Sequence, residues 1–248
     1  MMVPRSLAAL VVAATASLAA TPAGFEPAST TDLYVLFNGT AALNGQAMPR
    51  LSTTTQPMLG TTTRLNGSSY AVLMIDIDIP TNTPPETNTL LHWMQTGLTP
   101  ATTATNIMTS GGRAIQLFLL ENRTQTEPVV TYFGPNPPAR TPLSHRYTQI
   151  LVDTSGVTAQ SINGLQSAAG TRPAIGFNAS AVLEDANLAN KVVAGNFFNV
   201  TNPGPVMGVA TNTTGTTGNN NTVTAGAARA GTYGTVALGA VAISALFL

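Results

Sequence analysis

No cysteine occurs anywhere in the 248 residues, so no disulfide can compensate for a weak core if the chain leaves the cell. Charge is also scarce. Ten basic and ten acidic residues make up 8% of the chain and cancel to a formal net charge of zero. No basic run stands out from this background, which excludes the electrostatic footprint of a nucleic-acid binder. The chain also lacks an apolar run long enough to cross a bilayer, which takes roughly 20 residues. The run from Leu7 to Ala20 falls short of that. The run from Val236 to Leu248 would reach about 20 Å as a helix against a hydrocarbon core of about 30 Å.

Each short terminal run has its own reading. Residues 1–20 combine Arg5, an apolar stretch and the small-residue sequence Ser17-Leu18-Ala19, the pattern of a secretory signal with its cleavage site. At the other end, residues 204–234 are rich in Thr, Gly, Asn and Ala and poor in large apolar groups, as expected of a disordered stalk. Residues 235–248 then form an apolar tail with no basic residue after it. Small residues near Ala225-Gly226-Ala227, a spacer and that tail match the attachment signal of a glycosylphosphatidylinositol (GPI) anchor, with the attachment residue between Asn219 and Ala228. Asn-x-Ser/Thr sequons stand at Asn38, Asn66, Asn122, Asn178, Asn199, Asn212 and Asn220. Behind a signal peptide they imply surface glycosylation. The expected location is extracellular, at the cell membrane or cell wall.

Residues 32–203 remain for one folded domain, large enough to build a core without disulfides. Strands are expected over Leu33–Phe37, Tyr70–Ile79, Ala114–Leu120 and Tyr147–Val152, which are rich in β-branched and aromatic residues and bounded by turn formers. One helix is expected over Ala179–Leu188, capped by Asn178 or Ser180 and ended near Asn187 or Asn190. The fold class is therefore mainly β.

Two windows concentrate the chemistry. One holds Asp76, Asp78, His92 and the only tryptophan, Trp93; the other holds Ser144, His145, Arg146 and Tyr147 after a Gly- and Pro-rich stretch. Strand alternation places Asp76 and Asp78 on one face, where His92, His145 and Arg146 are the available counter-groups. Four readings stay open. The two histidines and two aspartates match a metal site in number, although no HExxH-like spacing supports one. His145 or His92 could activate Ser144 for hydrolysis, although the Gly-x-Ser-x-Gly elbow is missing. Imidazoles, a tyrosine hydroxyl and loop amides could receive a small anion such as phosphate. Both histidines could instead be structural. No cofactor or metal is expected, and the anion reading accounts for the most residues.

These windows resemble the phosphatidylethanolamine-binding protein family. Asp76-Ile77-Asp78-Ile79-Pro80 with Leu91-His92-Trp93 is similar to its first signature, and Gly134-Pro135-Asn136-Pro137-Pro138 with His145-Arg146-Tyr147 to its second. Gln56-Pro57 and Val193–Val200 extend the likeness over about residues 32–202. Ile77 stands where the family has proline, and Arg140 and Pro142 stand where small glycines are usual. The resemblance implies a large central β-sheet packed with a smaller sheet and a few peripheral helices. It also implies an anion pocket lined by Asp76, His92, His145 and Tyr147, with Trp93 and Pro138 nearby and Asp78 paired to Arg146 behind. The expected role is binding rather than catalysis, with a phosphate or phospholipid head group as ligand, in a fungal-type secreted member anchored to the membrane. The alternative is a serine carboxypeptidase inhibitor acting through surface loops and the N-terminal segment, which would make a protease the partner.

Overall fold

Both faces of the strand Tyr70–Pro80 are buried along most of its length, and this sets the layering of the molecule. The computed structural model describes residues 19–169 and 175–204. The expected stalk beyond residue 204, the apolar tail, Asn212, Asn220 and all but the last two residues of the expected signal lie outside them. In chain order the elements are β1 (Tyr34–Phe37), β2 (Thr40–Ala41), β3 (Gln46–Ala47), β4 (Met58–Thr61), β5 (Tyr70–Pro80), β6 (Thr87–Pro100), β7 (Thr105–Met108), β8 (Ala114–Glu121), β9 (Ser144–Asp153), α1 (Ala159–Ala169), α2 (Ala179–Asp185) and β10 (Val192–Thr201).

The strands join in the order β2-β1-β4-β8-β6-β5-β9-β10-β3, with β7 added to β8. At the centre β5 lies antiparallel between β6 and β9, so its backbone groups are paired on both sides. The sheet narrows where β6 meets β8 through only Thr99–Glu121 and Pro100–Leu120. Past that seam the β1–β4 part folds over the central strands. Leu33, Val35, Phe37 and Leu59 thereby bury Tyr70, Val72, Met74, Tyr147, Leu151 and Phe198 on one face, and Phe37 meets Phe198 edge-on at 5.3 Å. The opposite face carries Ala71, Leu73, Ile75, Ile150 and Val152 beneath Leu165 of α1 and Leu183 of α2. Burying each such leucine contributes roughly 1.5–3 kcal/mol. The mainly β class is correct, with the smaller sheet continuous with the larger.

All four expected strands form. The expected helix is shorter than its sequence pattern, ending at Asp185, with Asn187 in the left-handed region at φ 57. Asn178 is its N-cap, the side-chain oxygen accepting from Ala181 N–H, whereas Ser180 lies inside the helix. The strands β2, β3, β4, β6, β7 and β10 and the helix α1 went unassigned in the sequence. Among the described residues no helix is long and apolar enough to cross a membrane.

Packing also reaches upstream of the expected domain start at residue 32. Ala20 N–H donates to Ser29 O (2.8 Å), Ser29 N–H to Thr21 Oγ1 (3.0 Å), and Gly195 N–H to Thr31 O (2.8 Å). Gly195 is required here, because a Cβ would lie 2.6 Å from Thr21 Cγ2. Of the described sequon asparagines, Asn38, Asn66, Asn122 and Asn178 are exposed. Asn199 is half-buried, and its amide donates to Gly45 O at 2.6 Å.

Candidate functional site

Alternation along β9 sends His145 and Tyr147 to the face that carries Leu151, and Arg146 to the other. Asp76 of β5 stands opposite Tyr147, the last aligned pair of the two strands. His145 Nδ1–H donates to Asp76 Oδ2 at 2.7 Å, since a carboxylate only accepts, and both side chains are almost wholly buried. Asp76 Oδ1 accepts from Asp78 N–H at 2.9 Å, so both carboxylate oxygens are engaged. His145 Nε2 and the Tyr147 hydroxyl are buried and meet no hydrogen-bond geometry among the described residues, although the Asp76 carboxylate and the Asn136 backbone lie near the hydroxyl.

His92 reaches this face through an irregularity. The β5–β6 register runs from Met74–Trp93 to Ile75–Leu91, leaving His92 as the extra residue of a bulge. Regular alternation would set His92 and Trp93 on opposite sides. The bulge instead lets His92 meet Tyr147 edge-on at 5.1 Å while Trp93 packs on Tyr132 in the same core. His92 Nδ1–H donates to Phe133 O at 2.9 Å, and the Phe133 ring stacks on the imidazole at 3.9 Å. Burial holds the His92 pKa below its usual value, opposed by the Phe133 carbonyl and the Asp76 charge and reinforced by His145. Burial, with the nearby Asp76 charge, pushes the Tyr147 hydroxyl well above its usual range, so it stays protonated and able to donate.

Arg146 and Asp78 close the strand end. Past the last aligned pair, Arg146 N–H donates to Asp78 Oδ2 (2.8 Å) in place of a strand carbonyl. The guanidinium adds Nε–H to Oδ2 at 2.8 Å and Nη2–H to Oδ1 at 2.6 Å. This bidentate pair raises the Arg146 pKa. Asp78 is 8% exposed and Arg146 40%, so the pair lies at the surface rather than fully inside.

The loop over the site is held from below. Tyr132 O–H donates to Thr53 O at 2.6 Å, and Gly134 passes so close to that turn that a Cβ would lie 2.6 Å from Thr53 O. Any side chain at 134 would lift the loop away from His92. Phe133, whose carbonyl and ring fix His92, was missed as a site residue; its position just before Gly134 was the available signal.

A family model described as phosphatidylethanolamine-binding protein matches residues 33–198. The chain belongs to that family. Solved structures with which it aligns include a carboxypeptidase Y inhibitor complexed with its cognate proteinase, at 17% identity over 70% of this chain and 84% of that one, TM-score 0.46. Another is a phosphatidylethanolamine-binding protein from Plasmodium vivax, at 18% identity over 69% and 85%, TM-score 0.43. No curated protein is significantly similar to the chain.

Within this family frame, four of the six pocket residues expected from the sequence converge: Asp76, His92, His145 and Tyr147. Trp93 faces Tyr132 and lines a separate cavity of about 380 Å³ with Gln56, Pro57 and Leu98. Pro138 is exposed on the loop, its carbonyl accepting from Arg140 N–H. Ile77, in place of the usual proline, lines a cleft on the opposite face of the sheet. Ser144 shares a 2.9 Å hydroxyl–hydroxyl hydrogen bond with Thr201 and alternates away from His145, so no serine–histidine pair forms. Among the described residues no three His, Cys, Asp or Glu side chains are grouped as metal ligands.

Proposed function

We propose that the Asp76–His92–His145–Tyr147 cluster binds a small anionic group, a phosphate or the phosphate of a phospholipid head group, in a secreted, glycosylated and membrane-anchored protein. One observation carries the reading: His145 Nε2 and the Tyr147 hydroxyl are buried, unpartnered and on one face beside His92. Leaving a buried polar group unpaired costs about 1–3 kcal/mol, which a bound oxyanion would relieve. Tyr147 donates through its hydroxyl, and Nε2 is the ring nitrogen left for the anion in each imidazole, since Nδ1 is committed to Asp76 in His145 and to Phe133 O in His92. The family description, which names phosphatidylethanolamine, supports the head-group chemistry. All four side chains are buried, and the Phe133 ring lies against the His92 imidazole.

The role is binding rather than turnover. Ser144 alternates away from His145 and bonds Thr201, so the serine–histidine pair of a hydrolase does not form. The protease-inhibitor alternative relies on an available N-terminal segment. Ala20–Thr31 is instead hydrogen-bonded within itself and to Gly195, which weakens that reading.

Calorimetry with inorganic phosphate and with phosphorylethanolamine tests the site. Either His92→Ala or His145→Ala is expected to weaken binding by about 1.5–3 kcal/mol, the scale of one hydrogen bond to a charged group. Unchanged affinity in the folded double variant would return both histidines to a structural role.

A further inference from the structure

A cleft of about 410 Å³ lies on the helix-bearing face, away from the anion cluster. Its volume falls within the roughly 300–1,000 Å³ range of small-molecule sites. Phe25, Ile77 and Phe177 supply apolar wall, while Glu26, Thr89 and Arg146 supply polar groups. Arg146 commits Nε and Nη2 to Asp78, and the hydrogen bonds among the described residues leave Nη1 unused. This lining suits a ligand with C–H faces and several hydroxyl or amide groups, which is the surface of a sugar.

Asn178 belongs to the same lining and heads the sequon Asn178-Ala179-Ser180. Its Oδ1 is fixed by the N-cap bond to Ala181 N–H, whereas its Nδ2, the atom that would carry a glycan, makes no hydrogen bond among the described residues. The contrast with the half-buried Asn199, whose Nδ2 is bonded to Gly45 O, is direct. Helix capping therefore fixes the amide of a cleft-lining asparagine without using the nitrogen that a sugar needs.

We infer that Asn178 is N-glycosylated and that its first N-acetylglucosamine seats in this cleft against Phe25 and Arg146. The sugar pins the Ala23–Glu26 segment to the N-terminal end of α2. The inference rests on the secretory part of the proposed function, because only a chain entering that pathway meets the glycosylating enzyme.

The test uses the full chain secreted from a host that adds high-mannose N-glycans. Glycopeptide mass spectrometry reads occupancy, with Asn38 and Asn66 as exposed references. Three forms are then compared by amide hydrogen exchange: the intact glycoprotein, the same protein trimmed by endoglycosidase H to a single N-acetylglucosamine, and Ser180→Ala, which removes the sequon but keeps the Asn178 cap. Intact and trimmed forms are expected to protect Ala23–Glu26 equally, and Ser180→Ala to exchange several-fold faster there. A bare Asn178 beside glycosylated Asn38 or Asn66 overturns this inference alone. A chain without glycan at any sequon overturns the secretory reading and this one with it. Equal exchange in the trimmed and Ser180→Ala forms overturns the seating of the sugar.

Discussion

Arg146 serves two purposes at once: its N–H ends the pairing of β9 with β5, and its guanidinium neutralises Asp78. Because the arginine is 40% exposed, solvent screens much of the charge interaction, and the hydrogen bonds carry most of its value. Arg146→Ala is therefore expected to cost about 1–3 kcal/mol, less than the loss of a fully buried pair, as read from denaturant midpoints. An unchanged midpoint would show the pair to be energetically idle. His92 gives a second expectation. Its pKa is lowered by burial, so over the range below about 6.5 the unfolded chain binds more protons than the folded one. Stability contributed by neutral His92 is present above about pH 6.5 and is lost as pH falls toward its lower folded value. Urea midpoints between pH 8 and 5 should fall in that window, and His92→Gln should flatten the fall. A His92→Gln profile parallel to the parent's would assign the slope to other groups.

Among the elements, α2 and β6 show opposite relations to their sequences. The helix α2 is short and announces itself by Asn178, whose cap bond to Ala181 satisfies one otherwise unpaired N–H. Asn178→Ala should cost about 1 kcal/mol, while Asn178→Asp, which keeps the acceptor, should cost little; thermal melting distinguishes them. The strand β6 hides its decisive feature. Nothing in Leu90-Leu91-His92-Trp93 marks the extra residue, because a bulge is defined by the partner strand rather than by the bulged one. The helix α1 escaped assignment for a simpler reason. Its buried positions Ser161, Leu165 and Ala169 form a helical stripe with only one large apolar side chain, and Asn163 and Gly164 interrupt its propensity.

The described fold draws together two segments far apart in the sequence, residues 20–33 and β10. The segment before β1 lies on β10 through Thr31, Leu33 and Gly195, and β10 also accepts β3 in parallel. Short paired segments thereby cover an outer strand that would otherwise expose its hydrogen-bonding groups. Gly195→Val would drive a side chain into Thr21 and Ser29, whose atoms already lie 2.6 and 3.0 Å from an added Cβ. The expected cost is about 1–3 kcal/mol, with release of Ala20–Thr31 seen as faster limited proteolysis there. Unaltered cleavage and stability would mean that the segment is not held by this contact.

The sequence alone determined the β class, the four strands with strong β-branched patterning, two candidates for the cap of α2 and the two windows that hold the histidines, aspartates and Arg146. These follow from local chemistry: alternation, turn formers and rare ionisable groups in an uncharged chain. Tertiary structure decided which of those residues meet. Asp76 and His145 became a pair because β5 and β9 align at Asp76–Tyr147. His92 joined them only through the bulge, and Trp93 left the cluster for the core beside Tyr132. Register and the choice of covered face are properties of strand pairs, and no single stretch of chain contains the partner that sets them.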